Sequence, residues 1–244
     1  MNILLVNDDG INSLGLEILE VILSNFGHVY VCAPSVEQSG KSASITSYLG
    51  LTFDVIDDNH ISCNGTPADC VQLGMAYYKT KNVMIDLIVS GCNNGWNLAN
   101  DIIYSGTCGA AWQGLLAYVP TIAFSSMNEN YFNDLYELIP ATMKYLKSHK
   151  LLSNQYFLNI NFPYQFETIK FKITKLHPNI KKKYTLRFDE QTKKYFIDRN
   201  SVPKLSDENI DYIAVNKGYV SITPLTQNLF SSDLYQKVSK KVNN

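Results

Sequence analysis

The chain has 244 residues, of which 45% are hydrophobic and 18% charged, and its formal net charge is −1. That balance suits a folded protein with a sizeable core and excludes a disordered one. No apolar run approaches the ~18 residues of a membrane span, and no basic stretch leads into a signal-like core, so a cytoplasmic location is expected.

"NILLV" reads as a buried strand, "LGLEILEVILSNFG" as an amphipathic helix ending near Gly27, and "HVYVCAP" as a second strand. A strand, a helix and a strand within some thirty residues make a right-handed βαβ unit. "SVEQSGKSASITS" is a polar loop, and residues 48–63 alternate as extended chain does. In "NGTPADCVQLGMAYY", Thr66 reads as an N-cap, Pro67 as the first helical residue and Asp69 as the acid of a capping box. "MIDLIVSG" is a third parallel strand, followed by the loop "CNNGWNLANDIIYSG", the helix "TCGAAWQGLLAY", the strand "PTIAFSS" and a helix over 131–148. "YFLNINFP" is expected to be the last strand of the main sheet. Beyond it, "FKITKL", "KYTLRFDEQTKKYFIDR" and "GYVSITPL" read as strands, the second a hairpin turning near residues 190–192, before the amphipathic helix "LFSSDLYQKVSKKV". The expected fold is α/β: a Rossmann-like, doubly wound, mostly parallel sheet with a strand-rich C-terminal extension. Residues 1–163 are expected to form the core and 164–244 the extension, with strand 217–225 free to rejoin the core.

In open α/β sheets ligands bind beyond the carboxyl ends of the strands. Four polar clusters fall there: Asn7–Gly10, Ser35–Ser44, Ser90–Asn97 and Ser125–Ser126. Asp8 and Asp9 are adjacent carboxylates, and their repulsion is relieved by a cation or by donors. The four histidines lack metal spacing and the five cysteines (Cys32, Cys63, Cys70, Cys92, Cys108) form no CxxC pair. A metal here would therefore take oxygen ligands, as magnesium, manganese and calcium do. Ser39 and an amide of Asn93, Asn94 or Asn97 are candidates to complete its shell. Ser105, Gly106 and Thr107 open a helix; taken alone they read as an ordinary cap, and the free N–H groups and dipole of such a helix start also suit a phosphate. Residues 1–127 carry 11 acids against 3 lysines and residues 128–244 carry 11 acids against 18 bases, an asymmetry too mixed for a nucleic-acid binder.

Other uses of strand-end acids fit less well. "NDDG" lacks the DxDx[TV] spacing of haloacid dehalogenase phosphatases. A response-regulator receiver needs an acceptor Asp after the third strand and a Lys near the fifth, where this chain has "DLIVSG" and "TIAFSS". "GKS" is not a phosphate loop, because the required earlier glycine is Ser35. A non-catalytic nucleotide-binding module is the rival reading.

With "NDDG", "APSVEQSG", "NGTPADCV", "DLIVSGCNNGWNL", "DIIYSGTCGAAWQG", "NINFP" and "DYIAVNKGYVSITPL" in order, the chain resembles the stationary-phase survival protein family, SurE. The resemblance implies a divalent-metal-dependent 5'- and 3'-nucleotidase acting on nucleoside monophosphates, in some members also on short polyphosphate. It implies a homodimer, sometimes a tetramer, that exchanges its C-terminal extension. One divalent cation per subunit, magnesium or manganese, would be held by Asp8, Asp9, Ser39 and Asn93, with one of the two aspartates helping to deprotonate water. Asn97, Ser105, Gly106 and Thr107 would lie near the substrate phosphate. Three departures stand out: Ala99 where the family usually has Gly, Trp112, and Gln113 in place of Glu.

Overall fold

The computed structural model describes residues 1–177, 183–200, 207–228 and 230–242. In chain order the elements are β1 (Asn2–Val6), α1 (Leu14–Leu23), β2 (His28–Pro34), β3 (Phe53–Val55), β4 (His60–Cys63), α2 (Pro67–Thr80), β5 (Leu87–Asn94), α3 (Gly106–Leu116), β6 (Thr121–Ser126), α4 (Leu135–Ser148), β7 (Phe157–Asn161) and β8 (Lys170–Ile173). A hairpin of β9 (Lys183–Asp189) and β10 (Lys194–Asn200) follows, then α5 (Asp211–Asn216), β11 (Tyr219–Leu225) and α6 (Ser232–Val242). Short 3₁₀ turns at Ala99–Ile103 and Glu129–Asp134 precede α3 and α4.

A nine-stranded sheet in the order β3-β4-β2-β1-β5-β6-β7-β11-β8 is the backbone of the molecule. From β4 to β7 all neighbours are parallel; β3 pairs antiparallel with β4, and β11 antiparallel with β7. Strand alternation sorts β1 between two cores. Ile3 and Leu5 enter a cluster with the buried faces of α1 and α4, whereas Leu4 and Val6 pack with Cys70 and Val71 of α2 and Ala110 of α3. The fold is thus a helix-sheet-helix sandwich, and the carboxyl ends of β1, β2, β5 and β6 share one rim.

The expected elements are found with shifted ends. The first helix stops at Leu23 instead of running to Gly27, and the helix expected from residue 131 begins at Leu135 after the 3₁₀ turn. Within residues 48–63 only Phe53–Val55 and His60–Cys63 are strands. Residues 92–94, expected in the loop, extend β5 to Asn94, with a register shift between Ser90 and Asn93 against β6. Nor is β7 the last strand: β11 and β8 continue the sheet beyond it. Every residue of β7 is buried, which an edge strand does not permit. The hairpin β9–β10 forms as expected, while Leu229, where the expected final helix begins, lies outside the described residues. All five cysteines are free and buried, and no helix among the described residues is long and apolar enough to cross a membrane.

His60 on β4 ties the sheet edge to α1. Its Nδ1 lies 2.7 Å from Asp57 and its Nε2 2.8 Å from Glu20. Burial alone would lower its pKa, but the Asp57 and Glu20 carboxylates outweigh burial and hold it above the usual 6.5. A raised folded-state pKa stabilises below the unfolded value, and the contribution is lost as pH rises through the folded one. Urea midpoints should therefore fall from about pH 6 to about pH 8 more steeply in the native protein than in Glu20→Gln. Parallel profiles would show that the Glu20 contact contributes nothing.

Candidate active site

Asp8 and Asp9 follow β1 by way of Asn7, and the two side chains meet different elements. Asp8 continues the phase of Leu4 and Val6 toward the α3 face; Asp9 turns to the α1 face. Gly10 reverses the chain at φ +101°, a conformation L side chains rarely adopt, and Asn7 braces the reversal by donating to the Gly10 carbonyl at 2.9 Å and the Ser13 hydroxyl at 2.6 Å. Asp8 thus meets the start of α3 and Asp9 the end of β5, with the Asp8 charge near enough to act on Asp9.

Asp8 is buried, and the start of α3 is built around it. The Thr107 hydroxyl donates to Asp8 Oδ1 at 2.5 Å, and the nearby backbone N–H groups of Gly106 and Thr107 favour its charged form. A helix N-terminus receives an anion well, and here the anion it receives is Asp8. Ser105 caps the helix by accepting the Cys108 N–H at 3.0 Å. Gly106 is required by space: a Cβ there would lie 2.8 Å from Asp8 Cβ and 2.9 Å from Oδ2. Burial raises the Asp8 pKa above 3.8 despite these donors. Asp9, half-buried, is pushed up to about 6 by burial, then by the Asp8 charge, with Glu37 adding to it and the Asn94 N–H opposing.

Two remote stretches are stitched to this pair. The Asn94 N–H donates to Asp9 Oδ2 at 3.2 Å, which sets Asn93 beside it. Asn93 spends its amide nitrogen on the Gly95 carbonyl at 2.7 Å, so its oxygen is the end it can offer a ligand. From the other side, the Gln38 N–H donates to the Asp8 carbonyl at 2.7 Å, and the neighbouring Ser39 hydroxyl donates to Glu37 at 2.8 Å. Asp9, Glu37, Asn94, Glu129 and Phe132 line a cleft of about 300 Å³.

Other expected residues lie further from the pair. Asn97 is buried: its amide donates to Ser125 Oγ at 2.9 Å, its N–H bonds Asn161 Oδ1 at 2.9 Å, and its carbonyl accepts from Asn159 at 2.8 Å and Asn161 at 3.1 Å. These contacts clamp the loop to β6 and β7. The loop after β2 is held as tightly. Asp69 completes the expected capping box with Thr66 and additionally accepts the Thr46 N–H and hydroxyl, both at 2.8 Å. Ser42 donates its hydroxyl to the Ile103 carbonyl at 2.6 Å, and a Cβ on Gly109 would lie 1.9 Å from the Ser42 carbonyl. Sequence reasoning assigned Asp69 to capping alone; nothing local to "NGTPADC" betrays its distant partner. Of the departures, Trp112 packs edge-on against Phe157 at 5.3 Å, and Ala99 takes the left-handed φ of +51° that a glycine would accept freely. Gln113 has no structural account.

Fold and site together define a Rossmann-like α/β protein with an acidic, oxygen-lined cleft at the carboxyl rim of its sheet. The family described as "Survival protein SurE" matches residues 3–183. The 5'-nucleotidase SurE of Mannheimia succiniciproducens is 36% identical over 235 residues, covering 95% of this chain and 94% of the relative. That of Pseudothermotoga lettingae is 37% identical over 237 residues, covering 93% and 89%. The crystal structure of the SurE protein from Aquifex aeolicus superposes with a TM-score of 0.82 at 33% identity and full coverage of both chains. The chain belongs to the SurE family.

If Asp8 is seated by the open space at Gly106, then Gly106→Ala must displace it. The expected cost is about 1–3 kcal/mol in urea-denaturation stability, the range of overpacked cores. A variant as stable as the native protein would show that the contact yields freely.

Proposed function

We propose that this chain is a metal-dependent phosphomonoesterase that hydrolyses nucleoside 5'-monophosphates, and 3'-monophosphates, to nucleoside and inorganic phosphate. The observation that carries the reading is a buried carboxylate, Asp8, set beside Asp9 at a helix N-terminus in a chain whose relatives are named 5'-nucleotidases. Activity on short polyphosphate belongs to the same proposal.

The residues fit a hard divalent cation, magnesium or manganese. Burial raises both carboxylates, and Asp9 is raised further by the Asp8 charge and by Glu37. Among the described residues, no three His, Cys, Asp or Glu side chains are grouped to hold a metal. A cation here must therefore take amide and hydroxyl oxygens as well, and Asn93 and Ser39 are the residues that would supply them alongside Asp8 and Asp9. When bound, the cation supplies Lewis acidity, neutralising charge on the phosphoryl oxygens and lowering the pKa of water.

The chain's own residues do the rest. Gly106 and Thr107 hold Asp8 in one orientation, with its charge kept at the rim. Asp9, fixed through Oδ2, has Oδ1 to take the proton of the attacking water. Asn97 and Ser105–Gly106–Thr107 would border the phosphate; since Ser125 and Asp8 already engage the Asn97 amide and the Thr107 hydroxyl, what the start of α3 would add is its dipole, which favours the charge that grows on the phosphoryl oxygens. The leaving oxygen takes its proton from solvent. The Asp8→Asn, Asp9→Asn variant should keep its circular dichroism yet lose about 10³-fold or more of phosphate release from adenosine monophosphate. Chelator should abolish release and added magnesium or manganese restore it. Full turnover in excess chelator would overturn the proposal; a native protein that binds nucleotide without metal and never turns it over would instead support the binding-module reading.

The protein is further proposed to act as a homodimer. Tyr184, Leu186, Phe188, Tyr195 and Ile197 share one exposed face of the β9–β10 hairpin, and Leu234 and Val238 are exposed on α6. Such apolar faces mark contact surfaces. Light scattering should give twice the chain mass for the native protein and a monomer for Leu186→Asp; a monomeric native protein would refute this.

A further inference from the structure

Asp211 is a fully buried carboxylate that the reading of the site leaves without a task. It opens α5, far in sequence from the cleft, yet its oxygens collect three backbone N–H groups. Oδ2 accepts from Ala99 at 2.7 Å; Oδ1 accepts from His177 at 3.0 Å and from Tyr212 at 2.8 Å. The last two belong to its own neighbourhood: Lys175 pairs with Ile210, and the Asp211 N–H donates to the Lys175 carbonyl at 3.0 Å. The bond to Ala99 is different, because it crosses from the C-terminal part of the chain to the loop that joins β5 to α3.

That loop carries Asn97 at one end and Ser105–Gly106–Thr107 at the other. Ala99 is buried within it at φ +51°, a conformation that is unfavourable for any residue with a Cβ. The asparagines of β7 fasten the loop at Asn97; two residues on, Asp211 fastens it at the strained turn. The carboxylate therefore holds the backbone N–H of the very residue that is kept left-handed. A glycine at 99 would adopt that backbone without help.

We infer that Asp211 is a positioning residue for the phosphate side of the active site, acting through the Ala99 turn. The inference rests on the proposed nucleotidase reading for its kinetic consequence, but the clamp itself is a structural statement testable without activity. Asp211→Asn keeps the volume and places an NH₂ where one oxygen accepted. Displacing a loop that aligns substrate costs on the order of 10- to 100-fold in rate. The expected result is therefore a loss of at least about tenfold in kcat/KM for adenosine monophosphate, with inhibition by inorganic phosphate weakened in step. The double variant Asp211→Asn, Ala99→Gly should recover most of that loss, because glycine holds the turn unaided. A role in folding alone would not be rescued at a residue the carboxylate touches only through its N–H.

In the native protein, hydrogen exchange supplies the reading that needs no variant to fold. The Ala99 amide should exchange as slowly as those of the sheet. Fast exchange of that amide, kcat/KM of Asp211→Asn within twofold of native, or failure of Ala99→Gly to restore a deficient Asp211→Asn would each overturn the inference. If the native protein releases no phosphate at all, the nucleotidase reading fails while slow Ala99 exchange still upholds the clamp.

Discussion

The site is organised by the seating of one carboxylate, Asp8, against the first turn of α3. A buried carboxylate must be compensated. Here the Thr107 hydroxyl and the N–H groups of Gly106 and Thr107 supply that compensation in part. Burial still prevails, so Asp8 remains raised and Asp9 beside it is raised as well. An arrangement in which donors orient a charge without fully satisfying it is what a cation site requires. It also explains why small residues crowd the start of α3: Gly106 makes room for Asp8, and Gly109 makes room for the loop after β2.

The rest of the architecture delivers partners to that point. Parallel winding brings the ends of β1, β2 and β5 to one rim, and a register shift in β5 alters the aim of the chain just before Asn93. Irregularities of this kind commonly redirect side chains next to functional sites. Loops long enough to wander are tied down by side chains from elsewhere: Asp69 holds Thr46, Asn159 and Asn161 hold Asn97, and Asp211 holds Ala99. The mobile parts of a typical α/β loop have been traded for buried hydrogen bonds.

How much of this was legible in the sequence depended on range. The βαβ start, the capping box at Thr66 and the hairpin near residue 190 follow from local periodicity and turn chemistry, and they are found. The strand-end rule named the clusters Asn7–Gly10, Ser35–Ser44 and Ser90–Asn97 before any coordinates, and the parallel sheet brings the ends of β1, β2 and β5 to one rim; the choice of Asp8, Asp9, Ser39 and Asn93 among them came from the family resemblance. What failed depended on pairing at a distance. β7 read as a final strand because its own residues cannot announce a neighbour that arrives some sixty positions later. Asp69 looked like a helix-start acid and nothing more, and Asp211 drew no reading at all, since one carboxylate serving both a helix and a remote loop carries no local signature.

The position of β11 has a consequence for how the molecule is made. This strand is inserted between β7 and β8, and the segment just before it reaches back to Ala99. A nascent polypeptide that has emerged only through β7 therefore leaves that strand's far edge bare and the loop at Ala99 unfastened. Synthesis must proceed through residue 225 before the sheet can close, so a ribosome stalled earlier would display an open, adhesive edge instead of a finished rim.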